Sequence, residues 1–333
     1  MDTQIQTKTL NRLIQNTERK LFDGMCTIAD YSVVIRQAGS SAAEMTFETY
    51  PVKGKFALSW FGSAARNELT YNTDLDFLVL VDSKETKEDM LREGSHEGPL
   101  TQLNNRIGNM LKGTKIVICP EIRKPKNAHE LVKIVGEDRM AYQKGYFNPS
   151  YALQTKFMYG DEEMFNNARK QLYKEIKEVS DEDLNMFISR ELKGPLTTTN
   201  KLIQETEGSD IDFSKIDVKS GPLRAMQFAL YVETVHRIKS GDISEEEFLR
   251  LPIKINKLYT FMCEKGFVDY DIGLQTARDL NLTVKNQKKI TYSEAPSASV
   301  TIPESEKFKE SLAKIFNFSK TTYNRYAKKQ FKE

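Results

Sequence analysis

Hydrophobic residues within positions 1–50 recur at the spacing of an α-helix. Polar residues separate them in the way expected for helices with one buried face. The region therefore predicts one or two amphipathic helices, which we expect to pack against the rest of the chain. The apolar positions that carry the pattern are Ile5, Leu10, Leu13, Ile14, Leu21, Met25 and Ile28.

The region that follows contains the strand signals. One short apolar run, KGKFALSWFGS at 53–63, ends in Gly-Ser, and a second, DLDFLVLVD at 74–82, is bounded by turn-forming residues. Residues 83–112 return to a charged pattern with helical spacing, and TKIVICPEI at 114–122 predicts a third strand. The alternation predicts a small mixed sheet with helices packed on it.

Strand signals almost vanish after Arg123. Segments at 148–179 and 221–241 show helical spacing with Gly or Pro at their ends, which predicts a helical second half. Residues 283–306 are rich in Ser, Pro and Lys, as in a linker or surface loop. A final basic helix is expected from about Phe308.

These patterns together predict an α+β fold in which an α/β-type domain with a small mixed sheet is followed by an all-α helical domain. We expect packing helices at 1–50, the sheet-bearing core at 51–125 and the helical domain at 126–282. The linker would occupy 283–306, and the basic C-terminal helix would occupy 307–333.

Composition narrows the class of protein. The 333 residues include 39% hydrophobic ones, enough for a sizeable core, and the 49 basic and 47 acidic residues nearly cancel, so global charge does not indicate a nucleic-acid binder. Cys26, Cys119 and Cys263 form no CxxC pair, which argues against a disulfide framework or a zinc ribbon. The chain has no apolar run of membrane-spanning length and no signal-peptide core. We therefore expect a soluble, cytoplasmic protein, with signal-peptide-independent export left open.

Two aspartates, Asp74 and Asp76, stand in an otherwise apolar strand. A buried carboxylate costs several kcal/mol unless it is paired, hydrogen-bonded or bound to metal. Residues two apart on an extended strand project from the same face, so both carboxylates can reach one point. Such a pair suits two divalent cations roughly 3.5–4 Å apart at a phosphoryl-transfer site. A capping pair at a strand start is the structural alternative.

Gly62 and Ser63 end the preceding strand and lead into a predicted helix start. Backbone N–H groups and a hydroxyl at such a turn are suited to hold a terminal phosphate. Arg66, one turn further on, is a candidate to neutralise departing pyrophosphate, or an ordinary helix residue. Glu68 is expected to hold the loop through a hydrogen bond or an ion pair.

The combination of Gly62-Ser63, ten intervening residues, Asp74-Leu75-Asp76 and an apolar strand resembles the signature of the DNA polymerase β-like nucleotidyltransferase superfamily. FGSAARNELTYNTDLDFLVLV is most similar to its protein-modifying branch. That branch contains glutamine-synthetase adenylyltransferases, uridylyltransferases of the nitrogen-regulatory protein and AMP-transferring bacterial effectors. The resemblance continues at 121–172 and 217–238 and covers roughly residues 56–238.

The resemblance implies the remaining site residues. The family has a third carboxylate on the next strand, and Glu121 is the matching position, where it would complete the metal site or deprotonate the attacking hydroxyl. Pro120 beside it fits only a strand edge or end. Lys219 and Arg224 are candidates to contact nucleotide phosphates, with helix capping as the alternative. Ala225 stands where an Asp is usual in the family.

The activity that the resemblance implies is transfer of AMP from ATP to a Tyr, Ser or Thr hydroxyl of a target protein, with two Mg²⁺ ions. Attack on the α-phosphate would be in line, and uridylyl transfer is also compatible. Two alternatives stay open: transfer to tRNA or a small molecule, as in toxin- or resistance-type enzymes, and a nucleotide-binding regulator without turnover. Nucleic acid is not expected as a partner of the leading hypothesis.

Other polar features have simpler interpretations. GSDIDFSKID at 208–217 repeats the Asp-x-Asp spacing, but no apolar strand follows it, so we interpret it as a loop. The three histidines share no ligand spacing with the cysteines, so no zinc site is predicted. Residues 307–333 interleave aromatic and basic side chains. We expect their aromatic residues to pack on the core, with contact to an acidic membrane as the alternative.

Overall fold

A computed structural model describes the chain in nine ranges. Outside them lie Glu121, Cys119, the polar segment 208–217 and most of the predicted linker. The chain divides into two compact units, Met1–Gly145 with Tyr151–Leu172, and Tyr146–Ser150 with Tyr173–Glu333. The described ranges are 3–23, 25–69, 74–92, 98–114, 117–118, 126–127, 149–207, 219–268 and 302–327.

The first unit begins with two helices, α1 (Thr3–Phe22) and α2 (Ile28–Thr49). Thr27 begins α2 with a capping box, because its side chain accepts from the N–H of Asp30 while the Asp30 carboxylate accepts from the N–H of Thr27. This pairing satisfies amides that have no partner inside the helix. The amphipathic pattern of residues 1–50 therefore forms two helices, within the predicted range.

Three antiparallel strands form most of the sheet in the first unit, with β1 (Phe56–Phe61) between β3 (Phe77–Val81) and β6 (Thr155–Gly160). A short strand, β5 (Lys126–Asn127), pairs in parallel with β3, and β2 (Asp74–Leu75) pairs in parallel with β4 (Val117–Ile118). The order of the larger sheet is β5-β3-β1-β6. The helices of this region are α3 (Gly62–Arg66), α4 (Lys84–Leu91) and α5 (Pro99–Met110).

Strand β6 differs from the prediction, which assigned helical spacing to the whole of 148–179. Residues 155–160 instead pair with the edge of β1 that β3 leaves open, with Phe61 opposite Thr155 and Ala57 opposite Gly160. Gly160 has φ +98°, and a Cβ at this position would overlap the carbonyl oxygen of Phe56. The glycine thus allows the close approach that ends the strand.

Helix α2 packs closely against the sheet through Trp60 of β1, which is buried. A Cβ at Gly39 of α2 would overlap the indole ring, so the small residue lets the helix approach the strand. Leu58 and Phe77 lie on the same face as Trp60 by strand register and are also fully buried. One part of the core of the first unit therefore lies between α2 and this face, and Ala57 and Leu80 are buried on the opposite face.

The second unit is helical in its described residues. Helix α10 (Arg224–Ser240) is buried over most of its length and is contacted by both α9 (Lys193–Thr206) and the long C-terminal helix α13 (Ile302–Tyr326). Helices follow an α/β region along the chain, which confirms the predicted fold class. Two further helices, α6 (Ser150–Leu153) and α7 (Glu162–Glu178), are each divided between the two units. The other helices of the second unit are α8 (Asp181–Glu191), α11 (Glu245–Leu249) and α12 (Ile255–Glu264).

Helix α13 starts before the predicted Phe308, at Ile302. Its aromatic residues Phe308, Phe316, Phe318 and Tyr323 are buried, as expected for a stripe packed on the core. Within the part of the chain that the structure describes, no helix combines the length and the apolar character needed to cross a bilayer.

Candidate functional site

The Gly62-Ser63 turn joins β1 directly to the short helix α3. Phe61 is extended, with φ −130°, and the chain then turns at Gly62, which has φ +59°. Side chains with a Cβ are disfavoured in this left-handed region, so glycine is the residue that makes the turn without strain. The strand-to-helix turn predicted from the sequence is therefore present at these two residues.

Helix α3 ends after five residues because Asn67 adopts the left-handed conformation, with φ 60°. The N–H of Glu68 donates to the carbonyl of Ser63 over 2.9 Å, and the N–H of Asn67 donates to that of Ala64 over 3.4 Å. These two bonds form a Schellman motif. Beyond it, the N–H of Leu69 donates to the hydroxyl of Ser32 over 2.8 Å, which anchors the segment after α3 to α2.

Asp76 lies beside the turn. Its carbonyl accepts a hydrogen bond of 3.0 Å from the N–H of Phe61, which holds the backbones of the two segments together. A Cβ placed on Gly62 would lie 3.4 Å from Oδ2 of Asp76. The glycine therefore faces the carboxylate, and the half-buried Asp76 carboxylate lies next to the Gly-Ser turn.

Asp74 is described at the level of the backbone, where it begins β2 and pairs in parallel with Val117. Glu121 lies outside the described residues, and its role as third carboxylate stays a prediction. Among the residues whose side chains the structure describes, no three His, Cys, Asp or Glu side chains form a cluster that would hold a metal ion. Two of the three carboxylates predicted as metal ligands, Asp74 and Glu121, are not in that set.

Arg66 is 9% exposed and is bound within the first unit. Its Nε donates to a carboxylate oxygen of Glu68 over 2.7 Å, and its Nη1 donates to the side-chain carbonyl of Gln154. Glu68 therefore holds the loop through an ion pair, which is the arrangement expected from the sequence. The predicted contact of Arg66 with pyrophosphate stays a prediction.

Lys219 and Arg224 belong to the second unit. Lys219 begins a π-helical turn, Lys219–Leu223, and Arg224 is an exposed residue at the start of α10. Ala225 next to it is fully buried, in keeping with an apolar residue where the related family usually has Asp. The predicted contact of Lys219 and Arg224 with nucleotide stays a prediction.

Sequence reasoning missed two residues that hold the site in place, Gln154 and Ser32. Gln154 stands in a segment with helical spacing, 88 residues from Arg66, and no local pattern connects the two. Ser32 stands in the middle of an amphipathic pattern, where a polar residue is ordinary. Gly160, which follows TKFMY, is the residue whose type could have indicated a strand end here, and that strand brings Gln154 next to Arg66.

Residues 2–128 match the family model described as "Putative nucleotidyltransferase DUF294". The match spans α1 to β5 and so contains the Gly-Ser turn and both aspartates. No curated protein matches the chain. Nucleotidyl transfer is the general chemistry that the match supports, with a nucleoside triphosphate as substrate. The match confirms the resemblance of this part of the chain to the nucleotidyltransferase superfamily, and it supports no finer assignment.

Proposed function

We propose that this protein transfers AMP from ATP to a Tyr, Ser or Thr hydroxyl of a target protein. The observation that carries the proposal is the approach of the Asp76 carboxylate to Gly62, at the start of α3. In a nucleotidyltransferase, carboxylates hold the divalent cations that bind the triphosphate, and backbone N–H and hydroxyl donors can hold its phosphate oxygens. The protein acceptor and the choice of AMP are taken from the resemblance to the protein-modifying branch.

The residues present suit divalent cations. Asp76 and Asp74 offer hard carboxylate oxygens of the kind that Mg²⁺ prefers, and Gly62 leaves open the space beside Asp76 Oδ2 that a side chain would enter. We propose Asp74, Asp76 and Glu121 as ligands of two Mg²⁺ ions. Bound there, the ions would neutralise phosphate charge and orient the α-phosphate for in-line attack.

Support for Glu121 comes from the chain on either side of it. Residues 117–118 pair in parallel with 74–75, and residues 126–127 pair in parallel with 80–81. Both registers run in the same direction along residues 74–81, in which Asp76 lies between β2 and β3. We therefore propose Glu121 as the third carboxylate, which would take the proton from the attacking hydroxyl.

The Gly62-Ser63 turn is proposed to hold the β- and γ-phosphates. The first amides of a helix have no acceptor inside the helix, and the Ser63 hydroxyl adds a further donor. The acceptor oxygen would form its bond to the α-phosphorus as the bond to the β-phosphate oxygen breaks. Pyrophosphate leaves, and no covalent enzyme intermediate is needed. Positioning and charge neutralisation would supply most of the acceleration.

The test is labelling of lysate proteins by the purified protein with Mg²⁺ and α-labelled ATP, UTP, CTP or GTP in turn. Asp74→Asn and Asp76→Asn should each lower labelling by about 10²–10³-fold while unfolding at the same denaturant concentration as the wild type. Glu85→Gln is the matched control, since Glu85 is an exposed acidic residue of α4 and should label normally.

Intact-mass spectrometry of the labelled proteins identifies the transferred group. A gain of one AMP residue on a protein supports the proposal, and a gain of UMP would change the nucleotide. Label recovered in RNA or in a small molecule would overturn the protein acceptor. ATP binding without pyrophosphate release in any lysate would instead indicate a regulator without turnover.

A further inference from the structure

Arg66 follows Ser63 by three residues, and its guanidinium is buried. Two side chains of the first unit, Glu68 and Gln154, accept hydrogen bonds from it. Burying a guanidinium is costly unless its donors are satisfied, because the charge leaves water. Glu68 supplies the opposing charge at 2.7 Å, with its side chain 38% exposed. Gln154, which is 5% exposed, supplies a neutral acceptor from the interior.

The sheet explains why Gln154 reaches this point. Gln154 lies between α6 and β6, and the next residue, Thr155, pairs with Phe61 across the β1–β6 ladder. Phe61 immediately precedes Gly62, so the register brings Gln154 alongside α3. The hydrogen bond to Arg66 therefore connects the far edge of the sheet with the helix that carries Ser63.

Helix α3 needs such a support because it is short. Five residues give few internal hydrogen bonds, and a helix of this length is not stable by itself. Arg66 is its last residue, so the bonds from the guanidinium to Glu68 and Gln154 fix the helix at the end opposite to Gly62. This attachment adds to the backbone bonds of Phe61 and Leu69, and among these contacts it is the one made by a side chain of α3 itself.

We infer that Gln154 is a positioning residue of the nucleotide site: through Arg66 it sets the orientation of α3 relative to Asp76. The expected effect of Gln154 on nucleotide binding rests on the proposed function, whereas its expected effect on the orientation of α3 is independent of that function. It also gives Arg66 a role in holding the site together. Gln154 lies beyond residues 2–128, so a residue outside the family match supports the turn inside it.

The test measures amide hydrogen exchange at Asn67 and Glu68, whose N–H groups close the end of α3. Gln154→Leu keeps the size of the side chain and removes the acceptor, and we expect exchange at both amides to rise about tenfold. The amide of Asp82, which donates to Lys55 at the other end of β1, is the internal reference and should not change. Gln154→Glu restores an acceptor and should restore slow exchange.

Binding of Mg²⁺ with a non-hydrolysable ATP analogue, measured by calorimetry, is the second readout. Gln154→Leu should weaken binding about tenfold, and Gln37→Leu, which replaces an exposed glutamine of α2, should not. Unchanged exchange at Asn67 and Glu68 in Gln154→Leu would overturn the inference, as would failure of Gln154→Glu to restore slow exchange. If the wild type binds no nucleotide but the exchange response is present, the proposed function fails and the positioning role stands.

Discussion

Both compact units bury a charged side chain, and they hold it with different kinds of partner. In the first unit, Arg66 is bound by Glu68, two residues away, and by Gln154. In the second unit, Glu233 of α10 is bound by Arg325 over 3.1 Å and by the Tyr326 hydroxyl over 2.9 Å. The first network fixes a turn beside Asp76, whereas the second fixes α13 against α10.

The difference shows how one physical requirement serves two purposes. A buried charge destabilises the fold unless its partners are in place, so each network selects one arrangement of the elements that supply them. In the first unit those elements carry the candidate site, and in the second they are helices of the core. Substitutions in the first network should therefore act mainly on nucleotide binding and transfer, and those in the second mainly on stability.

The largest effect on stability is expected from Arg325→Met. The substitution leaves the Glu233 carboxylate buried with the Tyr326 hydroxyl and with Arg237, whose Nε is 3.9 Å away. Because Arg325 is about half exposed, we expect a loss of about 2–3 kcal/mol in the free energy of unfolding at pH 7, below the range for fully buried pairs. Denaturant unfolding measures it.

Two controls make that measurement specific. In a Glu233→Gln background the carboxylate is gone, so Arg325→Met should cost less than about 1 kcal/mol. Burial raises the pKa of Glu233, so the folded state takes up a proton more readily than the unfolded one. The loss in Arg325→Met should therefore shrink as the pH falls from 7 toward the unfolded pKa. A loss that is equal in both backgrounds would show that the ion pair does not hold α13.

The next effect, on activity and stability together, is expected from Gly62→Ala. Alanine at φ +59° is strained by about 1–2 kcal/mol, and its methyl group would lie 3.4 Å from Asp76 Oδ2. We expect labelling activity to fall more than about tenfold, since the methyl group enters the proposed metal and phosphate space.

Gly266→Ala is the control that separates the effect of backbone strain from the effect of a methyl group beside Asp76. Gly266 also has a positive φ, +69°, but a Cβ there would meet no atom within 4 Å. This variant of the second unit should lose similar stability and keep full labelling activity. Equal activity in the Gly62 and Gly266 variants would contradict a role for the space beside Asp76.

The same two regions show what a sequence can reveal. The turn and the strand FLVLV were predictable because each has a local cause: a Gly-Ser pair at the end of an apolar run, and an apolar run between turn formers. Strand β6 was not, because TKFMYG becomes a strand only by pairing with an edge of β1 that is distant in sequence. Gln154 depends on that pairing, and it was missed for the same reason.

In the second unit the helices were predictable from spacing, and the aromatic stripe of α13 was correctly assigned to the core. The partners of Glu233 were not predictable. Arg325 and Tyr326 lie 92 and 93 residues away, in a segment whose cations look like an ordinary solvated face. Helical spacing indicates which face is buried, but a tertiary ion pair is specified only when two such faces meet.

The smallest effect is expected from His236→Phe, which tests the second network through pH. His236 stacks on Tyr326 with ring centroids 3.8 Å apart. Burial, assisted by the nearby cations Lys239 and Arg237 and opposed by Asp181, lowers the pKa of His236 from 6.5 to about 4. Its Nε2 is buried without a hydrogen-bond partner among the described residues. The folded state therefore favours the neutral ring. The contribution of His236 to the free energy of unfolding is full above pH 6.5 and is lost as the pH falls toward about 4.

Phenylalanine keeps the stacked ring and takes up no proton. The difference in unfolding free energy between wild type and His236→Phe should therefore change between pH 7 and pH 4, with the wild type losing about 1 kcal/mol more once solvent screening of this partly exposed residue is allowed for. Glu233 contributes the opposite slope, but it is present in both chains and cancels in the difference. A difference that stays constant over this range would mean that the ring is as readily protonated in the folded protein as in the unfolded chain. The α10–α13 contact would then be open to water at its end, and the attachment of α13 would rest on Glu233 and the aromatic stripe alone.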